Sequence, residues 1–187
     1  GSWLDFEYDV KDLLYFRIDR KKKIYVSSLL LALGFSKQDM ANQYYEKETY
    51  TFDNKINKWK TKFNPENYKS KNFSEEIIDA KNSKVIVKIG EKINFLNAKK
   101  LHNDGLKEIF VSNESLYNKY LHTDISVGTD IFKIGTELNE TIIQKILENN
   151  INTINVSSTN TINKGPYLLQ TINIDKNENK NDAITEI

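Results

Sequence analysis

The chain has 187 residues, with 27 lysines and arginines against 26 aspartates and glutamates, and no cysteine. The near-balance of charge excludes a global field that would draw the molecule onto a polyanion, so any hold on nucleic acid must come from local clustering. The lack of thiols excludes disulfides, thiolate nucleophiles and cysteine-ligated metals, and it leaves His102 and His122, far apart in sequence, as exposed or locally bonded imidazoles.

Taken in order, Leu13–Ile18 is rich in strand formers, with Tyr8–Asp12 as a turn before it and a basic cluster after it. Ser27 or Ser28 is expected to cap a helix that runs to Leu33 and stops at Gly34. Ser36 opens a second helix, from Lys37 to about Tyr45. Two strand-like pieces, Thr49–Phe52 and Asn57–Phe63, flank the turn residues Asp53-Asn54-Lys55 and predict a hairpin that ends near Pro65. Glu75, Glu76 and Asp79 read as a solvated helix face rather than as paired catalytic carboxylates.

The middle of the chain repeats itself at an offset of 45 residues. Ile86–Gly90 aligns with Ile131–Gly135, Asn94 with Asn139, Lys100 with Lys145, and Ile109–Ser112 with Ile154–Ser157. Each copy predicts a strand ending at glycine, an asparagine-capped helix, a left-handed stop at Gly105 or Asn150, and a second strand. In the second copy, Ile142, Ile143, Ile146 and Leu147 form the helix's apolar stripe. Leu106, Ile109 and Val111, or Ile151, Ile154 and Val156, are expected to face inward in the second strands. One such unit cannot cover its own apolar face but two can, which predicts a pseudo-symmetric module over about 84–158.

No phosphate-binding glycine loop, nucleophile elbow or paired-histidine metal motif is present. The chemistry-bearing constellation is Trp3 with Arg17, Asp19, Arg20, Lys21 and Lys22, continued by Lys23. Cations hold phosphates without reading sequence. A tryptophan face can stack an unpaired base for about 1–3 kcal/mol, and a carboxylate can accept a bond from a base amino group. The set suits single-stranded DNA better than duplex. On the residues alone, Lys21–Lys23 read more readily as a solvated charge run than as a DNA contact, and Trp3 more readily as a packed tryptophan.

Two blocks carry a resemblance. The first is Gly1-Ser-Trp-Leu-Asp-Phe-Glu7, then Arg17-Ile-Asp-Arg20-Lys-Lys-Lys23, then Ser27-Ser-Leu-Leu-Leu-Ala-Leu-Gly34; the second is Gly165-Pro-Tyr167, Thr171–Asp175 and Asp182-Ala-Ile-Thr-Glu-Ile187. Together they resemble the lobe of the β subunit of bacterial RNA polymerase, which walls one side of the DNA cleft. The resemblance implies a short strand after Gly-Pro-Tyr, and it differs at Tyr25, where the family usually has proline. The missing initiator methionine fits a piece of a longer chain.

The fold the resemblance implies is α+β: mixed small sheets with short helices. A discontinuous lobe subdomain would span 1–45 and 164–187, and an inserted module would span 46–163, with repeats at about 84–113 and 129–158. Trp3 and Asp19 would lie at a pocket for unwound non-template promoter DNA. The catalytic aspartates and magnesium of the parent nucleotidyltransferase would belong to another subunit, leaving this chain without catalytic groups or cofactor. Expected partners are the other polymerase subunits, promoter and downstream DNA, and transcription regulators docked on the insertion. Tyr44, Tyr45, Trp59, Tyr68 and Tyr120 are the candidates for such a surface, or else for the module's core. A cytoplasmic location without membrane contact is expected. The rival reading is an independent protein-binding adaptor with no polymerase association.

Overall fold

The computed structural model describes residues 4–8, 13–18, 22–68, 75–159 and 165–187. Strands β1 (Leu4–Tyr8), β2 (Leu14–Ile18) and β3 (Lys23–Tyr25) form an antiparallel meander in the order β1-β2-β3. Helices α1 (Val26–Ala32) and α2 (Lys37–Tyr44) follow. Ser36 caps α2 reciprocally: its hydroxyl accepts from the Asp39 amide at 3.0 Å, and the Asp39 carboxylate accepts from the Ser36 amide at 2.9 Å. Helix α1 departs from expectation, because its cap residue is Tyr25 and both Ser27 and Ser28 lie inside the helix. Their hydroxyls donate instead to the buried carboxylate of Asp175, from Ser28 at 2.7 Å.

Strands β4 (Lys47–Asp53) and β5 (Lys58–Lys62) make the predicted hairpin, with Phe52 opposite Trp59. A short 3-10 turn covers Pro65–Tyr68. Then come β6 (Ile77–Asp79), β7 (Val85–Val87), α3 (Phe95–Asn103) and β8 (Glu108–Val111). Asp79 therefore sits in a strand rather than on a helix face, and Glu75 is engaged by the Ser115 hydroxyl. The chain continues through β9 (Tyr120–Leu121), β10 (Ile125–Val127), β11 (Asp130–Phe132), α4 (Glu140–Glu148) and β12 (Thr153–Ser157). It closes with α5 (Tyr167–Ile174) and α6 (Lys180–Glu186). The fold is a mixed α+β arrangement of antiparallel sheets and six helices among the described residues.

The repeat is visible in the backbone. Asn94 Oδ1 accepts from the Asn97 amide at 2.8 Å, and Asn139 Oδ1 accepts from the Ile142 amide at 2.9 Å. Both helices end in the same closing pair of bonds, Leu106 N to Leu101 O with Gly105 N to His102 O, and Ile151 N to Ile146 O with Asn150 N to Leu147 O. Gly105 and Asn150 take the positive φ these ends need.

The larger sheet runs β7-β6-β8-β5-β4-β12-β9. The second strands of the two copies, β8 and β12, flank the β4–β5 hairpin on opposite sides, as a pseudo-two-fold between β4 and β5 requires. The copies diverge at their first strands: β7 joins the large sheet through β6, whereas β11 pairs with β10 in a separate ribbon.

Core residues from both copies meet on one face of this sheet, around the fully buried Trp59, Ile143, Ile146 and Ile154. Burial of each such side chain stabilises by about 1.5–3 kcal/mol. A second core joins Leu31, Met40, Ala41 and Tyr45 to Leu168, Leu169, Ile172 and Ala183, and includes Tyr120 and Ile134 from the middle of the chain. The short strand implied after Gly-Pro-Tyr is absent: residues 167–174 are helical, because Leu168, Leu169, Thr171 and Ile172 bury together on one helical face. No helix of the described residues is long and apolar enough to cross a membrane.

Candidate nucleic-acid interface

The β1–β3 meander carries those candidate residues that the structure describes. Trp3, Asp19, Arg20 and Lys21 lie outside the described residues, while Arg17 and Lys22 lie within them. Strand pairing places Arg17 opposite Lys23 on one side and Asp5 on the other. Two like charges opposite one another need a counterion, and Glu7 supplies it. Arg17 Nε donates to Glu7 Oε1 at 2.8 Å, and Lys23 Nζ lies 3.7 Å from the same oxygen. Lys23 Nζ also sits 4.2 Å above the Tyr15 ring, which stacks on Tyr25 at 4.8 Å. Lys22 Nζ donates to the Glu186 carbonyl at 2.9 Å and so ties the meander to α6.

The side chains of the Arg17–Glu7 pair are more than one-third exposed, and such a surface pair is worth only about 0–1 kcal/mol. The pair is therefore weak enough for another anion to compete with Glu7 for Arg17. The edge strand β1 adds an apolar row, with Leu4, Phe6 and Tyr8 all exposed. Tyr8 meets Tyr167 edge to face at 5.1 Å. This row is not among the residues expected from the sequence, although its period-two spacing is legible there.

Elsewhere, the proposed docking aromatics resolve mostly into core. Tyr45, Trp59, Tyr68 and Tyr120 are buried, and Tyr44 is exposed. Burial raises the Tyr45 and Tyr68 hydroxyls well above the usual phenol range. His122 is locally bonded, with Nε2 2.8 Å from Asn42 Oδ1 and Nδ1 2.7 Å from Ser157 Oγ. His102 Nδ1 lies 3.4 Å from Lys107 Nζ. Among the described residues no cluster of three metal-ligating side chains occurs. What the described residues offer near the candidate interface is a set of exchangeable cations and an exposed apolar row, suited to gripping a ligand.

No family model matches the sequence. Along its whole length it is similar to proteins named DNA-directed RNA polymerase subunit beta. The identity is 41% over 191 residues to that of Orientia tsutsugamushi (strain Boryong), 38% over 190 residues to that of Rhizobium leguminosarum bv. trifolii (strain WSM2304), and 36% over 190 residues to that of Rickettsia massiliae (strain Mtu5). Each match takes in 100% of this chain and 14% of the relative, so the chain spans about a seventh of the length of these curated relatives. The middle of the chain is matched along with its two ends.

Proposed function

We propose that this chain, which belongs to the β-subunit family of DNA-directed RNA polymerase, forms part of the wall of the polymerase DNA cleft and contacts unwound non-template promoter DNA. The observation that carries the reading is the end-to-end match to three β subunits at 36–41% identity. The same match speaks against an adaptor unrelated to polymerase. In this reading Trp3 stacks an unpaired base, Asp19 accepts from its amino group, and Arg17, Arg20, Lys21 and Lys22 hold the neighbouring phosphates. Glu7 keeps Arg17 and Lys23 aligned until DNA replaces it. In this reading RNA synthesis and its magnesium belong to the rest of the enzyme. Residues 46–163 form an insertion that presents a regulator-binding surface, with the other subunits packed around the ends of the chain.

The test is Trp3→Ala in the intact polymerase. Altered preference for the base at the transcription start, with elongation rate unchanged, is the expected outcome. An unchanged start-site preference rejects the assignment of Trp3.

A further inference from the structure

The two copies of the repeat share one turn and treat it differently. Lys88-Ile89-Gly90 and Lys133-Ile134-Gly135 are the same three residues at the 45-residue offset. Each turn is closed by the same bond, Glu91 N to Lys88 O and Thr136 N to Lys133 O, both at 3.0 Å. In the second copy the turn is covered by α5. Ile134 is 6% exposed and belongs to the helical core with Leu168, Leu169 and Ile172. Gly135 lets the helix come close, because a Cβ there would run into the Leu169 carbonyl and lie 2.9 Å from Asn173 Cβ. Asn173 Nδ2 donates to the Ile134 carbonyl at 3.2 Å. Glu178, past the end of the helix, pairs with Lys133 at 3.0 Å.

In the first copy the same turn is bare. Ile89 is 77% exposed, and a Cβ on Gly90 would meet nothing within 4 Å. Among the described residues Lys88 makes no ion pair and the Ile89 carbonyl accepts no hydrogen bond. A single exposed isoleucine is ordinary. Here, however, each group left open has a counterpart that α5 or Glu178 engages. The flanking positions also turn apolar: Val85, Phe95 and Leu96 stand where the second copy has Asp130, Glu140 and Thr141. Val85 and Leu96 are exposed.

We infer that the Lys88–Gly90 turn docks an amphipathic helix of another polypeptide, seated as α5 is seated on Lys133–Gly135. The partner helix carries two adjacent apolar residues and a third one turn on, as Leu168, Leu169 and Ile172 do. An acidic residue follows its C-terminal end, as Glu178 follows α5. The apolar residues cover Ile89, the helix backbone lies over Gly90, and the acid pairs with Lys88. The inference rests on the reading of residues 46–163 as a regulator-binding surface and names the chemistry of the partner.

The probe is a helix-locked peptide of residues 166–179, since that sequence is seen to fit such a turn. Gln170→Lys and Ile174→Asp, joined as a lactam on its less buried side, hold it helical in isolation. It is titrated into the isotopically labelled 187-residue chain, and amide shifts are followed. Saturable shifts at Lys88, Ile89 and Gly90, with none at Ile134 and Gly135, are expected. Gly90→Ala weakens the binding by about tenfold or more, because its Cβ meets the docked backbone. Lys88→Glu weakens it by about two- to fivefold, and a Glu178→Lys peptide restores it. Absence of saturation, shifts at Gly135 through exchange with α5, or an affinity indifferent to Gly90→Ala or to the charge swap overturns the inference. Shifts at the turn that grow with chain concentration, without peptide, assign it to a second copy and also overturn it. The titration of the unsubstituted chain stands even if a variant folds poorly. It involves no DNA and one surface only, so its failure removes this helix site and leaves regulator docking elsewhere on 46–163 to fall or stand separately.

Discussion

His122 shows how a single buried side chain couples the helices to the sheet. The neutral ring donates from Nε2 to Asn42 Oδ1 on α2 and accepts at Nδ1 from the Ser157 hydroxyl on β12. The backbone on either side of the ring is also held, with His122 N bonded to Asn155 O and Gln38 Nε2 donating to His122 O. Burial lowers the imidazole pKa below its ordinary value of 6.5, and the nearby Lys47 charge lowers it further. Tyr45, Glu46 and Lys47 border the same recess.

A depressed histidine pKa means that the unfolded chain takes up the proton first. The stability due to neutral His122 is therefore fully present above pH 6.5 and is lost as pH falls from there through the folded-state value. Urea unfolding between pH 7.5 and 5 is expected to show a steeper loss in the wild-type chain than in His122→Gln. Parallel pH profiles would remove this role from His122. The sequence suggested a locally bonded histidine but could not name Asn42 or Ser157, which lie 80 and 35 positions away. Ser27 and Ser28 depart from the expected cap for a related reason. Before a leucine run, serine has the local signature of a cap, while the carboxylate that claims both hydroxyls is more than 140 residues further along the chain.

The elements of the repeat were more legible because their signals are local. An asparagine followed by an apolar stripe, with glycine or asparagine at the far end, is enough to specify each helix. What the repeat concealed is the different fate of its two equivalent glycines. Gly90 and Gly135 have nearly the same left-handed backbone, at φ of 87° and 84°. A Cβ on Gly90 would meet nothing within 4 Å, whereas one on Gly135 would lie 2.2 Å from the Leu169 carbonyl oxygen of α5. Gly90→Ala is therefore expected to cost only the left-handed penalty, about 1–2 kcal/mol. Gly135→Ala adds a backbone clash, for about 1–3 kcal/mol more. Chemical denaturation of the two variants side by side isolates the packing of α5 against the second copy, and equal losses would refute it. Helix α5 itself was hidden: Thr171-Ile-Asn-Ile has the β-branched alternation of a strand, and burial of Leu168, Leu169 and Ile172 on a common helical face overrides that preference.

At the scale of the molecule, the two cores differ in how they draw on the chain. The sheet core is built within the middle, from both copies and the central hairpin. The helical core takes residues from both ends and also takes Tyr120 and Ile134 from the middle. Polar contacts reinforce that sharing. Gln170 Nε2 donates to the Tyr120 hydroxyl at 3.2 Å, Asn173 Nδ2 to the Ile134 carbonyl at 3.2 Å, and Glu178 bridges Lys37 and Lys133 at 3.4 and 3.0 Å. Loss of the helical core would expose two buried side chains of the middle and break these bonds, so neither core opens without cost to the other. The expectation is one cooperative transition. Four of the six helices among the described residues, α1, α2, α5 and α6, belong to or border the helical core, so far-UV circular dichroism weights that region, whereas Trp59 fluorescence reports the sheet core. In a Trp3→Phe background, where Trp59 alone emits, the two signals should follow a single urea curve. A dichroism transition that precedes the fluorescence transition would instead mean that 46–163 holds together after the helices have come away, and that the shared residues couple the two cores only weakly.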